Sequence, residues 1–256
     1  MFLLSTDIDG TVYEPRDNGQ LFGDYWAKLQ GRLTPAPRLV YNTGRSLADT
    51  RRLIEHSHLP DPEWIISGVG STIAQRGASG PFAPWSEHLS PGWEQAAIHD
   101  YIGQQDLAQA QPAECQSSFK SSWFWENASP EALAQLEQGL RAQGWEAQLV
   151  YSSQRDLDIL PKRANKGNAL RFLAQELVVS LREVIVAGDS GNDLSMIEIP
   201  EVFGIIVNNA ESSLREASFA SPRYLASEES ALGVQEGLES FLEKPPLPRP
   251  AAADPC

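Results

Sequence analysis

Phe2-Leu3-Leu4-Ser5-Thr6-Asp7-Ile8-Asp9-Gly10-Thr11 runs from a bulky apolar stretch straight into a turn-prone Asp-x-Asp-Gly. The apolar part, Phe2 to Ser5, predicts a short buried strand, and Asp7 and Asp9 then fall at its C-terminal end. The arrangement recurs along the chain. Arg38 to Asn42 predicts a second strand ending in Thr43-Gly44-Arg45, after which Ser46 can cap a helix. Glu63 to Ser67 closes at Gly68-Val69-Gly70, Glu183 to Ala187 at Gly188-Asp189, and Gly204 to Val207 at Asn208-Asn209-Ala210. Five strands thus release small or polar residues at the same end. Helical segments such as Gly167 to Gln175 and Ser212 to Ala217 separate them. That alternation predicts an α/β fold with a parallel sheet, in which ligands bind beyond the carboxyl ends of the strands.

The middle of the chain breaks the rhythm. Residues 80–160 are punctuated by Gly and Pro and rich in Trp, and they read as strand (Ser117 to Trp125), helix (Ser129 to Gly144) and strand (Trp145 to Ser153). This predicts an inserted α+β unit over 80–160, between core parts at 1–79 and 161–243. Lys244 to Cys256 is a Pro/Ala segment with little to bury, and disorder is expected there.

Composition excludes several classes. With 34 acidic and 20 basic side chains the net charge is −14, which disfavours a nucleic-acid backbone as partner. A mean hydropathy of −0.32, with no apolar run near the length of a bilayer span, argues against a membrane protein. Met1 to Leu4 meets Ser5, Thr6 and Asp7 without a basic leader, so no signal peptide is expected. Two cysteines, Cys115 and Cys256, make neither a disulfide framework nor a zinc site. A cytoplasmic location is expected.

The pair Asp7 and Asp9 by itself reads equally as an Asx-type turn capping a strand. A second acidic, Gly-rich loop, Gly188-Asp189-Ser190-Gly191-Asn192-Asp193, changes this. Two such loops at one end of a sheet gather carboxylates that repel one another unless a cation sits among them. Hard oxygen ligands suit Mg²⁺, which binds one or two carboxylates together with a substrate phosphate. Thr43 offers a hydroxyl near a helix N-terminus, a ready anion site. Lys166 opens a helix with a cation at its positive end, which is unfavourable unless a phosphate or carboxylate compensates it. Alone, Lys166 reads as a solvated surface lysine. Arg45 either pairs with Asp49 or lends positive charge to the site. Trp123 and Trp125 are either one packed sheet face or part of a sugar pocket with Lys120, Ser153, Asp156 and Asp158. Asp156 and Asp158 lie on one face of an extended strand. His56, His58, His88 and His99 lack catalytic or metal spacing.

Asp7-x-Asp9-Gly-Thr, Thr43-Gly44-Arg45, Lys166-Gly-x-Ala-Leu and Gly188-Asp189-Ser-Gly-Asn-Asp193, in this order, resemble the four motifs of the haloacid dehalogenase-type phosphohydrolases. Lys120-Ser-Ser-Trp123, Tyr151-Ser-Ser153, Asp156-Leu-Asp158-Ile-Leu-Pro161 and Asn165-Lys-Gly-Asn-Ala169 bring the likeness closest to the sucrose-6-phosphate and mannosylfructose-phosphate phosphatase family. The resemblance implies a Rossmann-like parallel core with an inserted α+β cap. It implies Asp7 as nucleophile and Asp9 as general acid and base. Thr43, Gly44 and Lys166 become phosphate binders. Asp7, Asp189 and the carbonyl of Asp9 become Mg²⁺ ligands, with Asn192 and Asp193 in support. Arg45, Lys120, Ser153, Asp156 and Asp158 become substrate contacts. The implied activity is hydrolysis of a disaccharide phosphate, sucrose-6-phosphate or mannosylfructose-6-phosphate, a small-molecule substrate. Gly10-Thr11 stands where sucrose phosphatases often carry Asn-Thr, and so leaves the disaccharide open. Association with the enzyme that makes the sugar phosphate is open too. The rivals are another sugar phosphate, a phosphomutase, a silent sugar-phosphate-binding protein, and a phosphoreceiver domain. A receiver has no insertion like the one that separates Thr43 from Lys166.

Overall fold

Leu3–Thr6 forms β1, and all of its residues are buried, as expected of a strand covered on both faces. It lies at the centre of a seven-stranded sheet in a computed structural model that describes residues 2–152, 154–220 and 223–243. The further strands are β2 (Arg38–Asn42), β3 (Trp64–Ser67), β4 (Thr72–Gln75), β5 (Gln109–Ala110), β6 (Ser121–Phe124), β7 (Ala147–Ser152), β8 (Asp156–Pro161), β9 (Val184–Gly188), β10 (Phe203–Ile206) and β11 (Tyr224–Leu225). The helices are α1 (Gln20–Arg32), α2 (Leu47–Glu55), α3 (Ala83–Leu89), α4 (Gln95–Gly103), α5 (Pro130–Ala142), α6 (Lys166–Glu176), α7 (Leu194–Ile197), α8 (Ser212–Arg215) and α9 (Ser230–Glu243).

The main sheet has the order β11-β10-β9-β1-β2-β3-β4, and every pairing in it is parallel except β3 with β4. β1 therefore stands between β2 on one side and β9 on the other. The chain's winding reverses there, which opens a crevice at the strands' carboxyl ends. Asp7, Thr43 and Asp189 each follow one of these three adjacent strands. The α/β, mainly parallel fold expected from the sequence is what forms.

Local chemistry sets the helix starts. The Ser46 hydroxyl accepts from Asp49 N at 3.1 Å to cap α2, and Asn165 Oδ1 accepts from Asn168 N at 2.7 Å to cap α6. The second cap places Lys166 at the first helical position.

The second sheet, β5-β6-β8-β7, is antiparallel and carries its own core of Trp93, Ile98, Ile102, Trp123, Leu136, Leu140, Leu157 and Ile159. Within the expected 80–160 segment, α3 goes elsewhere. Its Trp85 and Leu89 pack into the first core, and Trp85 Nε1 donates to Gly70 O at 3.0 Å. No helix among the described residues is long and apolar enough to cross a membrane. The 244–256 tail, expected to be disordered, and Ser153 lie outside the described residues.

Candidate active site

Four segments meet at the carboxyl end of β1. Lys166 is fully buried, and its ammonium lies 3.0 Å from Asp7 Oδ1 and 2.6 Å from Asp193 Oδ1. The anion that the helix-starting lysine requires is thus supplied by two carboxylates. Burial works against the Lys166 charge, but Asp193 and Asp7 outweigh it and hold its pKa above the ordinary lysine value. Asp193 is held in turn. Its Oδ2 accepts from the amides of Asp189 and Ser190, each at 3.0 Å, and from the Ser190 hydroxyl at 3.3 Å. Gly188 makes this possible, because a Cβ there would run into the Asp193 carboxylate.

Asp189 reaches the same cluster from β9. Thr11 donates to its Oδ1 at 3.2 Å, and its Oδ2 would lie only 2.5 Å from a Cβ on Gly10, whose φ is +71°. Only glycine allows both that backbone conformation and that approach. Asn209 Nδ2, beyond β10, fastens the loop by donating to Gly10 O at 2.8 Å. Thr11 was quoted in the first motif, but its partnership with Asp189 is a long-range contact that sequence spacing does not display. Asn209 gave no signal beyond lying at a strand end.

Carboxylate oxygens of Asp7, Asp189 and Asp193 come within 4.8 Å of one another. Burial, first, pushes Asp7 up to about 7, although Lys166 pulls it down; burial and then Asp193 push Asp189 up to about 6. Three carboxylates against one ammonium leave excess negative charge when all are ionised. A hard divalent cation suits that donor set. Asp7 and Asp189 are its direct candidates, since both Asp193 oxygens are already engaged.

Asp9 takes a different direction. Arg45 Nε and Nη2 each donate to one of its oxygens at 2.6 Å, a bidentate pair. The Arg45–Asp49 pairing weighed from sequence does not form; Asp49 pairs with Arg52 at 3.4 Å instead. Arg45 sits beside the site with its fork committed to Asp9. Thr43 is buried, and its hydroxyl accepts from Arg45 N at 3.2 Å. Gly44 faces Asn192, whose Nδ2 would lie 3.9 Å from a Cβ added there.

Above the core, Lys120 pairs with Asp158 at 2.8 Å, and Ser122 Oγ donates to Asp158 at 2.7 Å. The Lys120 stem passes over Gly68, with Cδ 3.9 Å from a Cβ placed there, so this pair lies where the second sheet meets the core. Asp156 shares that sheet face and accepts from Gln111 Nε2 at 3.1 Å. Trp123 has no ring face open to a sugar. Trp123 is only 2% exposed in the second core, where it packs on His99 at 4.5 Å, and Trp125 packs against the same core.

Comparison with known proteins identifies the family. The family model of sucrose-6F-phosphate phosphohydrolase covers residues 1–242. The chain belongs to that family. Membership makes it a haloacid dehalogenase-type sugar phosphatase and so a phosphoric monoester hydrolase. It is 40% identical over 240 residues to mannosylfructose-phosphate phosphatase of Agrobacterium fabrum, covering 93% of this chain and 96% of that one. A probable sucrose-phosphatase 2 of Arabidopsis thaliana is 28% identical over 258 residues, which span 96% of this chain and 60% of that protein. The crystal structure of the sucrose-phosphatase from Synechocystis sp., in complex with sucrose and phosphate, superposes with a TM-score of 0.81 at 30% identity, covering 94% of this chain and 97% of that one.

Proposed function

We propose that this phosphatase hydrolyses a disaccharide phosphate through an aspartyl-phosphate on Asp7, with Mg²⁺ as cofactor. The observation that carries this reading is the buried Lys166 ammonium between Asp7 and Asp193, at the point where β1, β2 and β9 deliver Asp7, Thr43 and Asp189. An Asp7 carboxylate oxygen attacks phosphorus as the bond from phosphorus to the sugar oxygen breaks. Asp9 protonates that departing oxygen, then takes a proton from the water that attacks the aspartyl-phosphate and releases inorganic phosphate. Thr43, Gly44 and Lys166 hold the transferring phosphoryl oxygens. Asp7, Asp189 and the Asp9 carbonyl would hold Mg²⁺, with Asp193 and Asn192 in support, and the ion would neutralise charge on the phosphoryl group and on the crowded carboxylates.

Both Asp9 oxygens are engaged by Arg45, so Asp9 can act as an acid only once that fork lets go. An incoming phosphate competes for the same guanidinium, which makes Arg45 a substrate contact and its exchange the release of the acid. Lys120, Asp156 and Asp158 would contact the sugar from an inserted cap, and Ser153 is assigned with them on the family resemblance alone. Mannosylfructose-phosphate is favoured over sucrose-6-phosphate by the 40% identity and by Gly10-Thr11.

The test is phosphate release from mannosylfructose-phosphate, sucrose-6-phosphate, trehalose-6-phosphate and simple hexose phosphates, with wild type and Asp7→Asn side by side. The expected result is disaccharide-phosphate hydrolysis that needs Mg²⁺ and vanishes in the folded mutant. Phosphate passed to a second sugar would identify a mutase. Binding without turnover would identify a silent binding protein, and full activity of Asp7→Asn would remove the aspartyl-phosphate.

A further inference from the structure

Asn42 is the last residue of β2, directly before Thr43, and it is fully buried. Its Nδ2 lies 3.0 Å from the carbonyl oxygen of Lys166, 3.4 Å from Ser5 Oγ and 3.6 Å from Met196 Sδ. A backbone carbonyl only accepts, so the amide nitrogen and not the oxygen must face Lys166. The three neighbours come from three other segments. Ser5 lies on β1, two residues before Asp7; Lys166 starts α6; Met196 lies on α7, three residues after Asp193. One amide therefore touches residues on the three segments that carry Asp7, Lys166 and Asp193.

Stability by itself gives little reason for an asparagine here. Its Oδ1 is buried with no hydrogen-bond partner among the described residues. An unpartnered buried acceptor carries a free-energy cost that a leucine of similar size would avoid. What the amide does supply is geometry. It ties the main chain at Lys166 to the strand that ends in Thr43, and phosphoryl transfer depends on placing such groups to within a fraction of an ångström.

We infer that Asn42 is a positioning residue of the phosphate site, setting the spacing between the Lys166 ammonium and Thr43. The inference rests on the reading of Thr43 and Lys166 as phosphate binders. Calorimetric titration of inorganic phosphate in the presence of Mg²⁺, together with Tm, kcat and KM, tests it on wild type, Asn42→Leu and Asn42→Ser.

Asn42→Leu should fold with a Tm at or above that of wild type. It should bind phosphate about tenfold more weakly and lose about 10- to 100-fold in kcat, equally on a sugar phosphate and an aryl phosphate, because the defect lies at phosphorus and not at the leaving group. Asn42→Ser keeps a hydroxyl donor and should fall between; it carries the test if the leucine variant does not fold. Unchanged phosphate affinity and kcat in Asn42→Leu overturns the proposal, as does a fall in Tm with intact kinetics or failure of both variants to fold. A wild type that binds no phosphate would instead overturn the phosphate-site reading and the proposal with it.

Discussion

The Lys166 ammonium donates to Asp193 Oδ1 at 2.6 Å, and neither side chain has any exposure to solvent. A pair so deeply buried is costly to break from one side, because the partner left behind keeps its desolvation penalty without its counter-charge. Asp7, on the other side of the ammonium, would lose the same compensation.

Lys166→Met should accordingly destabilise the metal-free protein by about 3–5 kcal/mol, as breaking a buried pair does. Urea denaturation of Lys166→Met, Asp193→Asn and the double variant gives the coupling. The double variant should be more stable than the sum of the single losses implies; strict additivity would show that the two side chains do not depend on each other.

Stability of the metal-free protein should depend on pH through Asp7 and Asp189. Both have folded values raised, to about 7 and about 6, from 3.8. A raised carboxyl binds its proton more tightly when folded, so its contribution is fully present below about 3.8 and is lost as pH rises through about 6 to 7. Between about pH 4 and about pH 7, Tm in chelator should fall, excess Mg²⁺ should remove most of the fall, and Asp7→Asn should flatten it. A Tm profile in chelator that is the same for wild type and Asp7→Asn would count against burial of an ionisable Asp7.

Asp9→Asn should slow sugar phosphates far more than an aryl phosphate, whose leaving group needs little protonation. Arg45→Lys should not restore wild-type behaviour, since an ammonium cannot reproduce the fork that reaches both Asp9 oxygens at 2.6 Å. Comparing kcat/KM on both substrates decides; equal losses from Asp9→Asn would argue against its role as acid.

Lys120→Ala should cost about 1–3 kcal/mol of transition-state binding for the disaccharide phosphate and leave a small aryl phosphate nearly unaffected. Its ion pair with Asp158 adds a control. Asp158→Asn, which frees Lys120 without removing it, should shift specificity among sugars. Equal effects of Lys120→Ala on both substrates would place it in the phosphate site or the fold.

Much of this was legible in the linear sequence, for a physical reason. Each core strand is a buried apolar run that stops at a small or polar residue, and that local signal needs no knowledge of neighbours. It located β1, β2, β3, β9 and β10 to within about one residue, and with them Asp7, Thr43 and Asp189 at one edge of a parallel sheet. The Ser46 cap is local in the same way.

What only the tertiary structure decided is every pairing between segments distant in sequence. Nothing near Arg45 in the chain says that it grips Asp9 rather than Asp49; that follows from β1 and β2 lying side by side. Trp123 turns into the second core because Leu157 faces it across β6 and β8, not because of its own neighbours. Asn42 looked like the polar end of a strand, and its contact with Lys166 spans 124 residues of sequence. Charges and amides take their meaning from what packing brings within about 3 Å, and spacing along a chain carries no record of that distance.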